Sequence, residues 1–341
     1  MNFSKGEDRI SKYLSMLNRG MLFDELDDAY LESAGLIDIL KGVPIPISIN
    51  ENGEMTTADI ALNMARIIGG DTNFTYKNQY LEYIKKIAGE EAAPMLTAEG
   101  AKSADTGNYE LACMYFRTAL IIDPAAKEPL YLYGRACKGC YEAGNEEEEY
   151  VGRFKAESLE AFEILTIMHP EFSMGYYFLG YAYLNLGLYI KAKLTWDEFL
   201  KHVEEESYIG QGDDVEELKK DILRRLENLE EPVVIETGCN FIISGEFQRG
   251  IDTLKKFCKG KYENWWPLWY YLGVAEVSLG NHTVAEKHFK KALKFSPSNI
   301  EIMQELIEIY TYLEDTTNIE KYTKKIHIVR KNLENEICEK N

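Results

Sequence analysis

Among the residues able to do chemistry, Cys137 and Cys140 in "ACKGCYE" form the one thiol pair with a recognisable spacing. A C-x-x-C is either a redox couple or half of a four-thiolate zinc site. The zinc site needs a second pair, and the chain has none. A redox couple works best with its leading thiolate at a helix N-terminus, whereas this pair comes late in a helical run, where the dipole opposes a thiolate. Structural cysteines and no bound metal are the expectation. The five histidines, His169, His202, His282, His288 and His327, show no triad or ligand spacing. No phosphate loop, nucleophile elbow, H-E-x-x-H or EF-hand loop occurs, and the glycine-rich "GQGDD" (210–214) lacks the lysine and preceding strand that a phosphate site requires. With 57 acidic residues in the chain, adjacent carboxylates single out no acid–base pair. The sequence predicts no catalytic residue and no cofactor.

A formal charge of −19 opposes binding to nucleic acid or to an anionic membrane, because the long-range field repels a polyanion. The densest basic runs, "LKKDILRR" and "YTKKIHIVRKN", are short and read as solvated helix faces. Hydrophobic residues make up 45% of the chain, ample for a sizeable core. The apolar stretch "AGLIDILKGVPIPISI" (34–49) carries Asp38, Lys41 and two prolines and is too short for a membrane span. The opening residues have scattered charges and no apolar leader region, so a cytoplasmic location is expected.

The elements that must position any site are helical. "GNYELACMYFRTALIIDP" and "GNHTVAEKHFKKALKFSP" share a frame, pairing Gly107 with Gly280, Ala112 with Ala285, Phe116 with Phe289, Ala119 with Ala292 and Pro124 with Pro297. Ahead of each such segment runs another helical pattern with a glycine where two helices must approach closely. Gly100, Gly134, Gly180, Gly238 and Gly273 fill that slot, at separations of 34, 46, 58 and 35 residues.

These segments resemble tetratricopeptide (TPR) repeats, whose period is 34 residues. In "WYYLGVAEVSLGNHTVAEKHFKKALKFSP" (269–297), Trp269, Leu272, Gly273, Gly280, Ala285, Phe289, Ala292 and Pro297 stand where the family places them; Glu276 departs from a slot usually aromatic. "FLGYAYLNLGLYIKAKLTW" repeats the pattern through Leu179, Gly180, Tyr183, Gly187, Tyr189, Ala192 and Trp196. The resemblance implies an all-α, right-handed α-solenoid of about five helix pairs plus a capping pair. It places repeats near 93–126, 127–172, 173–206, 231–265 and 266–299, a cap at 300–330 and a tail at 331–341. The two long spacings are insertions. One surrounds "GNEEEEYVGRFKAE", where Asn145 can cap an elongated helix. The other, within 207–230, holds a supernumerary helix capped by Asp213, with Val215, Leu218, Ile222 and Leu226 on one side. That helix either covers apolar surface or gates the groove.

Residues 1–92 stand outside the repeat, with helical patterns through 11–40, 56–70 and 76–89, Thr57 as a cap and Gly69-Gly70 as a break. Between the first two, "VPIPISINENGEM" is extended or looped, either as a linker or as a segment lying in a groove. Their nine basic and fifteen acidic residues argue against a DNA reader.

The resemblance further implies a non-catalytic scaffold that binds a peptide or a partner's helix in the concave groove. Its groove slots fall on Tyr131, Arg135 and Lys138, then on Tyr177, Tyr181 and Leu184, and last on Tyr270, Val274 and Val277. Insertions that bury these side chains are the competing reading. A two-carboxylate clamp of the chaperone-adaptor kind is disfavoured, because of Thr97, Ala101, Tyr131, Arg135, Tyr177 and Tyr181 in its slots only Arg135 fits, so a more apolar ligand is expected. An alternative implied function is a peptide-sensing regulator whose N-terminal helical segment is the effector.

Overall fold

A computed structural model of the protein describes residues 8–47, 55–143, 147–203 and 215–340. The described residues are all-α apart from one short antiparallel ribbon, Leu22–Asp24 against Ile45–Ile47, with Phe23 opposite Pro46. Helices come in antiparallel pairs: Ala92–Asp105 with Tyr109–Ile122, Lys127–Glu142 with Glu148–Met168, Ser173–Asn185 with Tyr189–His202. They continue with Val215–Ile243 and Phe247–Leu254, Trp266–Ser278 and His282–Phe295, and Ile300–Tyr312 and Thr316–Lys340. The described chain forms two compact units, the first through 187 with 194–219, the second 188–193 with 220–341.

The glycine slot has one physical cause along the chain. Gly100 faces the ring of Phe116, Gly134 that of Phe162, Gly180 that of Trp196 and Gly273 that of Phe289, while Gly238 faces Leu254. A Cβ on Gly134 would stand 2.8 Å from the Phe162 ring, well inside van der Waals contact. Each first helix thus gives up a side chain so that a large residue of its partner can lie against the backbone. The turns between paired helices repeat as well. After Trp266–Ser278, Gly280 takes φ 81° and Asn281 N–H donates to the Glu276 carbonyl at 2.8 Å, closing the helix end. Glu276, in the slot expected to be aromatic, is buried and accepts a 2.8 Å hydrogen bond from Asn281 Nδ2, so this turn satisfies its carboxylate.

Sequence and structure part in three places. The supernumerary helix expected near 207–230 is continuous with the helix that follows it, Val215–Ile243. Pro232 stands six residues before Gly238, as Pro267 stands six before Gly273 in the first turn of Trp266–Ser278. A proline tolerated at a helix start therefore marks where this repeat's first helix would begin, and the inserted helix runs directly into it. The helical pattern read through 11–40 breaks into the pieces Ser11–Leu14, a 3-10 turn Ser15–Asn18, the strand Leu22–Asp24, Asp28–Ser33 and Ile37–Leu40. Asp27 caps the fourth piece by accepting from Ala29 N–H at 2.8 Å. Third, the cap of helix Thr57–Gly70 is Thr56, which with Asp59 forms a capping box. Gly69 and Gly70 are buried at that helix's end, Gly69 lying on the Met114 backbone. Asn145, Asp213 and "GQGDD" lie outside the described residues.

Residues 8–92 share their core with the first repeats. Leu31, Leu40, Ile60, Met64, Ile68, Tyr80 and Ile84 cluster with Tyr115 and Ala119, and Ile10 and Leu14 cluster with Phe116, Tyr133 and Phe154.

Candidate functional site

The predicted groove residues lie on first helices, as the repeat geometry requires. In the first unit, Tyr131 and Lys138 are half-buried and Arg135 is exposed on Lys127–Glu142, while Tyr177, Tyr181 and Leu184 are half-buried on Ser173–Asn185. An aromatic seam joins the two helices: Tyr131 meets Phe172 at 5.2 Å and Phe178 at 5.8 Å between ring centres. The Arg135 guanidinium lies over both the Tyr131 ring (5.4 Å) and the Phe178 ring (5.5 Å) and donates to Tyr131 Oη at 3.4 Å. Lys138 pairs one turn on with Glu142. Tyr177 and Tyr181 contact each other at 5.2 Å and lean on Phe199 and Trp196 of the second helix, at 5.4 and 5.0 Å. They are therefore part packing, part surface.

Beside Arg135 and Lys138 opens a cleft of about 370 Å³. Ala101 and Ala104 come from Ala92–Asp105, Leu132, Ala136 and Gly139 from Lys127–Glu142, and Phe178 from Ser173–Asn185. Phe178, Leu132, Ala104 and Gly139 were not among the predicted residues. Phe178 immediately follows Tyr177 on the same helix, and the small residues at 101, 104 and 136 were the available sequence signal for an open floor.

In the second unit, Tyr270, Val274 and Val277 are half-buried on Trp266–Ser278. Tyr270 meets Phe289 at 5.9 Å and donates to Glu301 at 2.9 Å. Burial, then that hydrogen bond to a carboxylate, raises its phenol well above the usual range. The structure thus places three predicted residues in one unit and six in the other.

The structure also answers two questions about the sequence's odd segments. Cys137 and Cys140 are joined by Cys113 from the preceding helix, with Sγ separations of 3.7 and 4.0 Å. All three are buried packing groups, and burial pushes the Cys113 and Cys137 thiols up, against the reactive thiolate. The prolines at 44 and 46 do not lie in the groove. Pro44 and Pro46 carbonyls accept from Tyr80 Oη (2.6 Å) and Asn63 Nδ2 (3.4 Å) inside the N-terminal core; residues 48–54 lie outside the described part.

A second polar constellation escaped the sequence reading. Arg117, wholly buried, pairs with Asp8, which also accepts from Ser11 Oγ (2.6 Å) and Thr72 Oγ1 (3.0 Å). Tyr133 Oη donates to buried Glu157 at 2.7 Å, and Arg9 reaches Glu157 at 3.3 Å and also Glu160. Lys12 pairs with Glu149 at 2.8 Å, and the Tyr13 ring meets Tyr150 at 5.0 Å. Residues 8–14 are thereby fastened to Tyr109–Ile122 and Glu148–Met168, the second helices of their pairs, and not to the first-helix face that bears the cleft.

The family comparison agrees with this architecture. The family model described as tetratricopeptide repeat matches residues 267–299, the Trp266–Ser278 and His282–Phe295 pair and its terminal proline. Residues 267–299 are thus a tetratricopeptide repeat, set in a chain of paired helices. No curated protein matches it. Among solved structures, MamA (41-end) from Desulfovibrio magneticus RS-1 aligns at 13% identity over 72% of this chain and 98% of its own, with a TM-score of 0.26. The P58(IPK) TPR domain aligns at 17% identity over 70% and 60%, with a TM-score of 0.37. TTC0263, a TPR protein of Thermus thermophilus, aligns at 18% over 64% and 99%, with a TM-score of 0.25. No helix among the described residues is long and apolar enough to cross a membrane.

Proposed function

We propose that the protein is a non-catalytic interaction scaffold that holds a peptide or helix of a partner protein against the first-helix face of its first unit. The observation that carries this reading is the cleft of about 370 Å³ beside Arg135, bordered by Phe178 of the next first helix and by Tyr109 of the preceding second helix. Aromatic and arginine side chains dominate binding hot spots because they bury much surface for few lost rotors. Residues 8–14, part of the chain's non-repeat segment, are engaged on the second helices and do not line this cleft. Tyr131, Arg135, Lys138, Tyr177, Tyr181 and Leu184 form the proposed surface, with Tyr270, Val274 and Val277 as a separate patch in the second unit.

Affinity purification of the tagged full chain from its native cells tests this, followed by Tyr177→Ala with Tyr181→Ala. Because both rings also pack on Trp196 and Phe199, the exposed Arg135→Ala is the second variant. Loss of a copurifying protein in the double variant and weakening by roughly tenfold in Arg135→Ala is the expected result. A partner retained by both variants places the binding surface elsewhere.

A further inference from the structure

The lining of the cleft specifies more than the presence of a partner. Ligand pockets run from roughly 300 to 1,000 Å³, so about 370 Å³ is at the small end and has room for one bulky side chain. Its lining combines the small residues Ala101, Ala104 and Ala136 with the rings of Phe178 and of Tyr109, the latter lying on Gly139. The apolar part of such a lining offers dispersion contacts to an apolar group, and polar groups make up the rest. Four charged residues also border the cleft: Asp105, Arg135, Lys138 and Glu142. Lys138 is matched by Glu142 one turn away. Arg135 is exposed and held by two rings and a phenol oxygen, an arrangement that orients its planar fork while leaving donors for a carboxylate. A run of acids would meet Asp105, Glu142 and the field of a chain carrying −19, so one carboxylate fits and several do not.

We propose that this cleft is a side-chain pocket: it takes one bulky apolar residue of a bound linear segment while Arg135 pairs with a single carboxylate next to that residue. The proposal rests on the reading of the first-helix face as the partner site. It names the chemistry of the segment as an apolar residue beside one acid, in an otherwise uncharged stretch.

Two capped synthetic peptides serve as probes, acetyl-Gly-Phe-Glu-Gly-Gly-amide and its counterpart with Gln in place of Glu, titrated to about millimolar into the full chain. The readout is the methyl resonances of Ala101, Ala104 and Ala136. The expected result is saturable perturbation of those methyls, roughly fivefold tighter for the Glu peptide, the size of one partly exposed ion pair. Arg135→Gln should abolish that difference without abolishing binding. Ala104→Leu, or Ala101→Val should the first variant lower the melting temperature, should abolish binding of both peptides. Unperturbed alanine methyls, equal affinity for the two peptides, or binding indifferent to a filled floor each overturn the pocket. If the native partner is lost in Tyr177→Ala with Tyr181→Ala but is indifferent to Arg135→Gln and Ala104→Leu, the scaffold reading stands and the pocket falls. Indifference to all of these variants removes both.

Discussion

The two compact units solve one packing problem with different chemistry. In the first, polar groups are sealed into the core: the Asp8–Arg117 pair, Tyr133 Oη on Glu157, Ser158 Oγ on the Gly134 carbonyl at 2.8 Å, and Thr118 Oγ1 on the Ala65 carbonyl at 2.7 Å. In the second, the core of Ile251, Leu254, Leu268, Leu272, Phe289, Ile302 and Leu306 is apolar, its buried Glu276 is held by Asn281 of the adjoining turn, and ion pairs such as Lys290–Glu286 and Lys324–Glu320 lie nearer the surface. The difference follows from what each unit holds. The second consists of repeat helices whose register is set by shape, neighbour on neighbour. The first must also fix a non-repeat segment, and hydrophobic burial alone is non-directional. Buried polar pairs between residues far apart in sequence supply the direction, at a cost in desolvation.

The sharpest way to break this contrast is Asp8→Asn. It leaves the wholly buried Arg117 without that carboxylate's charge, and removing one partner of a buried pair costs about 3 kcal/mol or more. Hydrogen exchange should show the loss in Tyr109–Ile122 and not in His282–Phe295. An equal loss in both helices would mean that the units unfold as one. Acid adds a second reading. Burial by itself raises the Asp8 carboxyl, but Arg117 and the hydrogen bonds from Ser11 and Thr72 outweigh it, and the net shift is downward. Its contribution is therefore present above its unfolded value, about 3.9, and is lost as pH falls through the lower folded value. Glu157 runs the other way. Burial raises it despite the Tyr133 hydrogen bond and the nearby Arg117 and Arg9, so its contribution is full below the unfolded value and is lost as pH rises through the folded one. Urea midpoints of the first unit should therefore rise gently on acidification from neutral and fall steeply below about pH 4. Asp8→Asn should flatten the fall and keep the rise.

Next in size are Gly134→Ala and Gly273→Ala, the same slot in the two units. A Cβ would stand 2.8 Å from the Phe162 ring in one and 2.6 Å from the Phe289 ring in the other, and overpacking of this kind costs about 2 kcal/mol. Equal destabilisation in chemical unfolding of each unit is the expected outcome. A markedly cheaper Gly273→Ala would show the apolar unit to be the more plastic and would recast the contrast as one of rigidity.

Much of the fold was legible because the repeat writes its geometry into residue types: a glycine makes room for a large side chain opposite it, and Gly280 suits a left-handed turn. Tyr131, Arg135 and Lys138 were legible for the same reason, since fixed phase fixes which face a helical residue joins. The Asp8–Arg117 pair was not, because its residues are 109 apart and neither a lone arginine on an apolar helix nor an aspartate near the terminus carries a spacing signal. Cys113 escaped for the same cause, being brought to Cys137 by packing alone. The ribbon of Leu22–Asp24 and Ile45–Ile47 was hidden by apolar residues whose short runs fit helix and strand alike. The fusion of the inserted helix into Val215–Ile243 was hidden by Pro232, which reads as a start and here is an interior residue.

The smallest expected effect lies in the turn of the final pair. Gly107, Gly245 and Gly280 adopt positive φ between paired helices, but in the turn between Ile300–Tyr312 and Thr316–Lys340 the residue is Glu314, at φ 57°. The hydrogen bonds are the same: Asp315 N–H reaches the Tyr310 carbonyl at 2.9 Å, as Asn281 N–H reaches that of Glu276 at 2.8 Å. Glu314 therefore adopts the left-handed region with a Cβ, at a cost of roughly 1–2 kcal/mol that glycine avoids. Glycine has more freedom to lose from the unfolded chain, which offsets roughly half of this. Glu314→Gly should stabilise the second unit by about 0.5–1 kcal/mol in urea unfolding, and Gly280→Ala in the matching turn should destabilise it by a similar or larger amount. The first unit's midpoint should not move in either variant. Glu314→Gly without gain would show that its strain is relieved in a way the neighbouring turns do not share, and that the last pair departs from the repeat in energy as well as in sequence.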